Sequence, residues 1–168
     1  MNLFSISRDE KIVIDANIFI YANQLVSNQC VKLLERCAKD EIQGIITTNI
    51  LAEVMHVLML AEARDINLIK GSNPAKQLAK NPNKIKALHR YEQLIRDLLT
   101  IGLQLELLQR EDFITAMSLQ HQYGLLTNDA LFLAVATRLR ITNIVSADEQ
   151  FNLIHGIKLF SPDDLKLE

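Results

Sequence analysis

The sequence predicts an α/β fold built on a parallel sheet of about five strands with helices on both faces. Short runs of β-branched and aliphatic residues alternate with longer segments of helical periodicity, a pattern typical of strands joined by crossover helices. The short link at 141–143 between a predicted helix and the strand after it fits such a crossover. A chain of 168 residues, 49% of them hydrophobic, favours one domain over 1–168 with a substantial core.

The first predicted strand lies in the stretch Lys11-Ile-Val-Ile-Asp-Ala-Asn17. Three consecutive β-branched residues run into Asp15, which places its carboxylate at the carboxyl end of a buried strand, where open α/β sheets usually bind ligands. Asn17 is predicted to cap a helix that runs to about Gln24. Residues 1–10 are expected to form a short polar arm or a poorly fixed end.

A helix, a strand and a second helix are predicted next. Asn28 starts a helix that ends near Asp40, and the second strand is expected at 42–48. Asn49 is predicted to cap a helix over 50–63. Because this helix is apolar nearly all round, we expect it to be buried.

The segment 64–90 is predicted to form a basic helical arm rather than a separate domain, since it contains too little apolar surface to fold alone. Turn signals at 71–74 and 81–83 precede a short helix over 74–80 and a longer one from Pro82 to about Ile101.

The remaining elements alternate in the same way. We expect a third strand at 103–108, a helix at 111–123 that Gly124 terminates, a helix at 130–140 capped by Thr127 or Asn128, a fourth strand at 144–147 and a fifth at 157–160. The stretch ALFLAVA in the last helix has no polar face and is predicted to be core.

Composition limits the possible functions. The N-terminus meets acids before an apolar signal segment can form, and no uncharged apolar run approaches the ~18 residues of a membrane span, so we expect a soluble cytoplasmic protein without a membrane partner. Cys30 and Cys37 would lie roughly 10 Å apart along a helix, beyond the reach of a disulfide, and are expected to be core thiols.

Four carboxylates stand out by their position. Asp15 ends the first strand, Glu53 lies one turn into the helix after the second strand, Asp129 opens a helix and Asp148 follows the fourth strand. Because the carboxyl ends of parallel strands face one edge of a sheet, these groups could meet in one cleft.

Each acid also has an ordinary structural explanation. Asp15 could cap a helix, Asp129 could complement a helix dipole, and Asp148 could form a turn. Glu53 could be a solvated helix position, but it interrupts the apolar stretch ILAEVMHVLMLA, where an unpaired acid is costly.

Four carboxylates in one cleft need protons or a cation, because like charges about 4 to 6 Å apart repel by about 1 kcal/mol or more even with strong screening. An all-oxygen set of ligands selects a hard ion, Mg²⁺ or Mn²⁺. Such an ion activates water and stabilises charge on a phosphate, which suits hydrolysis of nucleic acid.

Several other chemistries lack their motifs. The five glycines occur singly, so there is no glycine-rich phosphate loop, and neither GxSxG nor HExxH occurs. A receiver-type phosphoacceptor also gathers acids at strand ends, but the third predicted strand ends in Gln109 rather than in an acceptor Asp.

Four motifs, in this order, resemble the PIN domain family and in particular its VapC-type ribonuclease toxins: IVIDAN, TTNILAEV, NDALFLAVA and IVSADEQF. They extend over about 11–160. The resemblance implies a three-layer α/β/α fold and a Mg²⁺- or Mn²⁺-dependent endoribonuclease. Asp15, Glu53, Asp129 and Asp148 would be the catalytic, metal-binding acids.

The same resemblance implies supporting residues and partners. Asn17 and Ser146 correspond to polar positions near the metal, and Phe151 corresponds to the aromatic residue after the last acid. RNA is the implied substrate, a cognate antitoxin the implied inhibitor, and a homodimer the implied assembly. A catalytically silent PIN-like module that binds RNA or protein is the alternative.

The basic arm suggests a second contact with RNA. Residues 64–90 contain seven basic side chains and one acid, a balance of +6, whereas the remainder carries −8. Our hypothesis is that Lys76, Lys80, Lys84 and Lys86 follow the RNA backbone. A solvated helical surface, or a docking surface for an antitoxin, are the alternatives.

Overall fold

The centre of the protein is a five-stranded sheet in which every neighbouring pair of strands is parallel, seen in a computed structural model that describes residues 1–165. The strands are β1 (Lys11–Ile14), β2 (Gln43–Thr47), β3 (Gln104–Glu106), β4 (Asn143–Val145) and β5 (Lys158–Phe160). The helices are α1 (Ala16–Asn23), α2 (Asn28–Ala38), α3 (Thr48–Asp65), α4 (Pro74–Ala79), α5 (Pro82–Lys86), α6 (Arg90–Thr100), α7 (Arg110–Tyr123) and α8 (Thr127–Arg138). Helices flank the sheet, so the predicted α/β/α fold is confirmed.

The strand order is β3-β2-β1-β4-β5, so the chain moves outward from β1 in one direction and then returns to continue on its other side. Connections between parallel strands are right-handed, and such a reversal places helices on both faces of the sheet. It also opens a crevice between the carboxyl ends of β1 and β4, the usual ligand position in this architecture.

The sheet and α8 form the core that the apolar runs predict. Ile12, Val13 and Ile14 of β1 are fully buried, as expected for a strand covered on both faces. The ALFLAVA stretch of α8 is buried over 130–136. Cys30 and Cys37 are free thiols within the same core, which confirms their predicted place.

The prediction for residues 1–10 is wrong. Leu3–Ser5 forms a 3₁₀ helix, and the side chains of Leu3 and Ile6 are only 1% and 2% exposed because they join the main core. The backbone oxygen of Met1 accepts a hydrogen bond from Ser161 N at 2.7 Å. The segment is therefore fixed against the end of the chain, and its apolar residues explain why.

Three helix caps differ from the predicted residues. The cap of α1 is Asp15, whose Oδ1 accepts from Ala16 N at 2.7 Å, so Asn17 lies inside the first turn. The cap of α3 is Thr47 rather than Asn49, and that of α8 is Leu126 rather than Thr127 or Asn128. Each helix begins two or three residues earlier than expected, which frees Asn17, Asn49 and Asn128 for contacts between elements. Gly124 ends α7 in the left-handed conformation, as predicted.

Helix α3 is not buried all round. Ile50, Val54, Leu58 and Ala63 face the interior, whereas Met55 is 45% exposed. Packing therefore covers one face of the helix, and the apolar composition of the other face leaves hydrophobic side chains at the surface.

The predicted helix over 82–101 is divided into α5 and α6. Glu62 of α3 causes the division, because its buried carboxylate accepts hydrogen bonds from the backbone N–H groups of His89, Arg90 and Tyr91 at 2.8–3.0 Å. Burial alone would raise the pKa of Glu62, but these three donors and the Arg90 guanidinium hold it below its usual value. A carboxylate from another helix thus caps α6, which begins at Arg90 as a helix separate from α5.

The basic arm packs on the end of α3 around a small second core. Ala63, Ile69, Leu78 and Leu88 form this cluster. Lys84 Nζ donates to the backbone oxygen of Leu68 at 2.6 Å, so Lys84 fastens α5 to the segment after α3. Within residues 1–165, no helix combines the length and the hydropathy needed to cross a membrane.

Candidate functional site

The carboxylate of Asp15 joins β1, α1 and the chain after β4. Its Oδ2 accepts from Ser146 Oγ at 2.6 Å and from Asn17 Nδ2 at 2.7 Å, and Oδ1 caps α1. Asn17 Oδ1 in turn accepts from Ala147 N at 3.1 Å. Asp15 is 6% exposed and Ser146 is fully buried. Asn17 and Ser146 therefore hold Asp15 in one orientation at the crevice between β1 and β4.

Asp148 begins a 3₁₀ helix, Glu149–Leu153, directly after this crevice. Its Oδ1 accepts from Gln150 N at 2.9 Å and its Oδ2 from Gln150 Nε2 at 2.8 Å, while its own N–H donates to Ser146 Oγ at 3.0 Å. The turn-forming role considered for Asp148 is thus real, and the same side chain also lies at the crevice.

Phe151 fixes the position of this 3₁₀ helix. The ring is fully buried and meets Phe132 of α8 edge to face, with ring centroids 5.5 Å apart. Since Asp129 opens α8, this aromatic pair fixes the 3₁₀ helix that carries Asp148 relative to the helix that carries Asp129.

Glu53 and Asp129 reach the same region from α3 and α8. Asn128 Nδ2 donates to Glu53 Oε2 at 2.8 Å, and Asn49 Nδ2 donates to the backbone oxygen of Asn128 at 3.4 Å. Gln150 Nε2 donates to Asp129 Oδ2 at 3.2 Å. Amide side chains therefore link the starts of the two helices to each other and to the 3₁₀ helix.

The four acids influence one another electrostatically. Burial raises the pKa of Asp15 from 3.8 to about 6, and the charges of Asp129 and Glu53 add to this increase against the opposing hydrogen bonds. Burial also raises the pKa of Asp129, again with contributions from Asp148 and Glu53. The region therefore has an excess of negative charge.

The donor set suits a hard divalent cation. All four groups are carboxylates, and within residues 1–165 none of them forms an ion pair with Lys, Arg or His, so a bound cation would supply the missing positive charge. The groups are not assembled into a cage, because within residues 1–165 no three His, Cys, Asp or Glu side chains are arranged to hold a metal ion. Amide N–H groups engage Asp15, Glu53, Asp129 and Asp148 instead.

Two amide residues near the acids were not anticipated as part of the site. Gln150 bridges Asp129 and Asp148, and Asn128 binds Glu53. The signal in the sequence was their position, since Asn128 directly precedes Asp129 and Gln150 lies two residues after Asp148. Their side-chain directions depend on how α3, α8 and the 3₁₀ helix meet, which sequence spacing does not specify.

The predicted RNA-binding lysines differ in their surroundings. Lys76, Lys80 and Lys86 are exposed. Lys84 is partly buried and bound to the Leu68 oxygen, so it has a structural role that the sequence did not indicate.

Comparison with known proteins identifies related sequences and folds. A family model described as the PIN domain matches residues 12–157. No curated protein matches the chain.

Three solved structures share the fold at low identity. VapBC2 from Rickettsia felis, bound to a DNA fragment from its promoter, is 18% identical with a TM-score of 0.58, covering 91% of this chain and 99% of that one. A toxin–antitoxin complex from Klebsiella pneumoniae is 18% identical with a TM-score of 0.55, covering 88% and 95%. VapC20 from Mycobacterium tuberculosis, a toxin that cleaves the sarcin–ricin loop, is 14% identical with a TM-score of 0.57, covering 84% and 92%.

The raised pKa of Asp15 predicts a pH-dependent stability in the absence of divalent cations. The folded state binds a proton more tightly than the unfolded chain, so this stabilisation is full below pH 3.8 and is lost as the pH rises through about 6. The whole effect is about 3 kcal/mol, of which about 1 to 2 kcal/mol falls between pH 5 and pH 8.

Urea unfolding of wild type and Asp15→Asn at pH 5, 6, 7 and 8, with chelator present, measures this effect. The free energy of unfolding of wild type should fall relative to that of the variant as the pH rises. A difference that stays constant over this range would show that Asp15 ionises at its ordinary pKa.

Proposed function

The chain belongs to the PIN domain family, and from this membership and the grouped carboxylates we propose that it is a metal-dependent endoribonuclease, the toxin of a toxin–antitoxin pair. The proposed metal-binding and catalytic acids are Asp15, Glu53, Asp129 and Asp148, and the proposed cofactor is Mg²⁺ or Mn²⁺. The observation that supports the proposal is a group of four carboxylates near the crevice between β1 and β4 that, within residues 1–165, accept hydrogen bonds only from neutral amide, hydroxyl and backbone groups. Structural acids are usually paired with cations, whereas these have only neutral donors.

The residues of the site have distinct tasks in this proposal. When bound, a divalent cation supplies a polarised water and stabilises charge on the scissile phosphate. Ser146 and Asn17 orient Asp15 through their hydrogen bonds to Oδ2, so that this carboxylate keeps one position during the reaction. Phe151 holds the segment that carries Asp148 against α8.

We predict that Asp15→Asn and Asp129→Asn each lower RNA cleavage by on the order of 100-fold or more, since each removes a charged ligand from the site. Cleavage of a total RNA pool with Mn²⁺, with Mg²⁺ and with chelator measures the effect. Glu111→Gln, which removes an exposed carboxylate from α7, is the matched control and should cleave like wild type.

Two results would contradict the catalytic proposal. Equal cleavage by wild type and both Asp variants would identify a contaminating nuclease. RNA binding without cleavage of either the total pool or isolated ribosomal RNA, with both cations tested, would favour the alternative of a catalytically silent PIN-like module. Ribosomal RNA is included because VapC20 cleaves the sarcin–ricin loop.

We also propose that the basic arm binds the RNA backbone. Lys76, Lys80 and Lys86 lie exposed on or beside α4 and α5, and the arm carries +6 against −8 elsewhere. A local excess of basic side chains on an otherwise acidic protein concentrates the attraction for a polyanion in one place. Lys84 contributes through its charge while its Nζ remains bound to Leu68.

Replacing Lys76, Lys80 and Lys86 with Gln should weaken RNA binding and reduce the slope of log affinity against log salt by about 2, for about 0.7 per lost phosphate contact on single strands. Binding is measured in chelator, which prevents metal-dependent cleavage. The matched control replaces the exposed Lys11, Lys32 and Lys39 with Gln and should retain both affinity and slope. Equal losses in the two triple variants would mean that only net charge matters.

An antitoxin protein is the proposed inhibitor. One solved neighbour is a toxin–antitoxin complex, and this chain has an apolar groove of about 360 Å³ between α1, α2, α3 and α6. Phe19, Leu34, Val54 and Leu98 are among its lining residues. Such a groove fits the apolar face of an amphipathic helix. Homodimerisation stays a prediction from the family resemblance.

Leu25→Asp should weaken binding of the candidate antitoxin by roughly 10-fold or more, because Leu25 lines this groove and is 80% exposed, so a charge there opposes an apolar partner with little effect on the fold. Leu99→Asp is the control, since Leu99 is an exposed residue of α6 outside the lining. Isothermal titration calorimetry of the purified antitoxin into each variant and into wild type measures the affinities. Unchanged affinity of Leu25→Asp would place the antitoxin elsewhere.

A further inference from the structure

Gln150 occupies the space between two of the four acids. Its Nε2 donates to Asp148 Oδ2 at 2.8 Å and to Asp129 Oδ2 at 3.2 Å. A primary amide has two hydrogens on this nitrogen, so it can serve both carboxylates at once. One neutral group therefore stands where two negative charges from different elements face each other.

Gln150 also donates hydrogen bonds to both carboxylate oxygens of Asp148. The backbone N–H of Gln150 donates to Asp148 Oδ1 and the side chain donates to Oδ2, so both carboxylate oxygens are bound by the same residue. Each oxygen keeps a second lone pair, but the bond to Gln150 Nε2 places the amide on the side of Asp148 that faces Asp129. Within residues 1–165, no three acids are arranged around one point.

The side-chain amide of Gln150 can rotate away from the two carboxylates without a change in the fold. The backbone of Gln150 belongs to the 3₁₀ helix that the buried Phe151 anchors on Phe132, whereas its partly exposed side chain has three rotatable bonds. Rotation of the side chain would free Asp148 Oδ2 and Asp129 Oδ2 together, while Asp148 Oδ1 keeps its backbone donor.

We propose that Gln150 competes with the cation for Asp129 and Asp148: its amide hydrogen-bonds to both carboxylates and is displaced when a divalent cation binds them. This inference rests on the proposed metal centre. If the amide competes with the cation, metal binding must break the hydrogen bonds from Gln150 to Asp129 and Asp148. Removal of the amide should therefore strengthen metal binding.

Calorimetric titration of Mn²⁺ into chelator-treated, desalted protein tests the inference, together with urea unfolding of the metal-free forms. Gln150→Ala should bind Mn²⁺ roughly 10-fold more tightly, because a competing hydrogen bond to charged groups is gone. Its metal-free form should be less stable than wild type, since Asp129 and Asp148 then lack their common donor. Asn152→Ala, an exposed residue of the same 3₁₀ helix, is the control and should match wild type in both measurements.

Gln150→Lys should change both measurements in the opposite direction. An ammonium group between the two carboxylates stabilises the metal-free protein and should weaken Mn²⁺ binding by roughly 10-fold or more. An unchanged Mn²⁺ affinity of Gln150→Ala would overturn the inference, and weaker binding would also overturn it because Gln150 would then act as a ligand. A wild type that binds no Mn²⁺ would refute the proposed metal centre itself, a result distinct from unchanged binding by the variants.

Discussion

The hydrogen bond from Ser146 Oγ to Asp15 Oδ2 is the contact on which the arrangement of the site depends. Asp15 follows β1 and caps α1, while Ser146 follows β4. This bond therefore joins the two sides of the crevice at the point where the strand order reverses. The buried hydroxyl also accepts the N–H of Asp148, which sets where the 3₁₀ helix begins. Loss of this one group would remove one of the two donors to Asp15 Oδ2 and would leave the backbone N–H of Asp148 without its acceptor.

The parallel sheet creates an electrostatic difficulty at this edge. Strands that all point one way bring Asp15 and the chain leading to Asp148 together, and α3 and α8 add Glu53 and Asp129. The structure offers these acids the amides of Asn17, Asn128 and Gln150 rather than cationic side chains. Burial raises the pKa of Asp15, the charges of Asp129 and Glu53 add to the increase, and the neutral donors offset only part of it. In contrast, buried Asp112 of α7 is paired with the Arg138 guanidinium, and its pKa falls. The comparison separates a structural acid from the acids of the proposed site.

The basic arm shows how one buried polar contact redirects the chain. Helical periodicity over 82–101 predicts a single helix, and local propensity alone favours it. Glu62 lies 27 to 29 residues earlier in sequence, but its carboxylate binds three consecutive backbone N–H groups and so starts α6 at Arg90. Satisfying these donors next to the buried Leu88 outweighs continuation of the helix. The same logic applies to Lys84, whose charge suggests RNA but whose Nζ fastens the arm.

Sequence by itself determined the parallel sheet, the approximate positions of the five strands and the buried stretch of α8, because periodicity and β-branching are local properties of the chain. That the four acids form one site stays a prediction. It misjudged residues 1–10, since Leu3 and Ile6 find their partners only in the folded core. It also assigned helix caps to Asn17, to Asn49 and to Thr127 or Asn128, whereas the three Asn side chains connect separate elements. Only the tertiary structure decided that Gln150 lies between Asp129 and Asp148, because a side chain's partner across elements depends on how those elements pack and not on its distance along the chain.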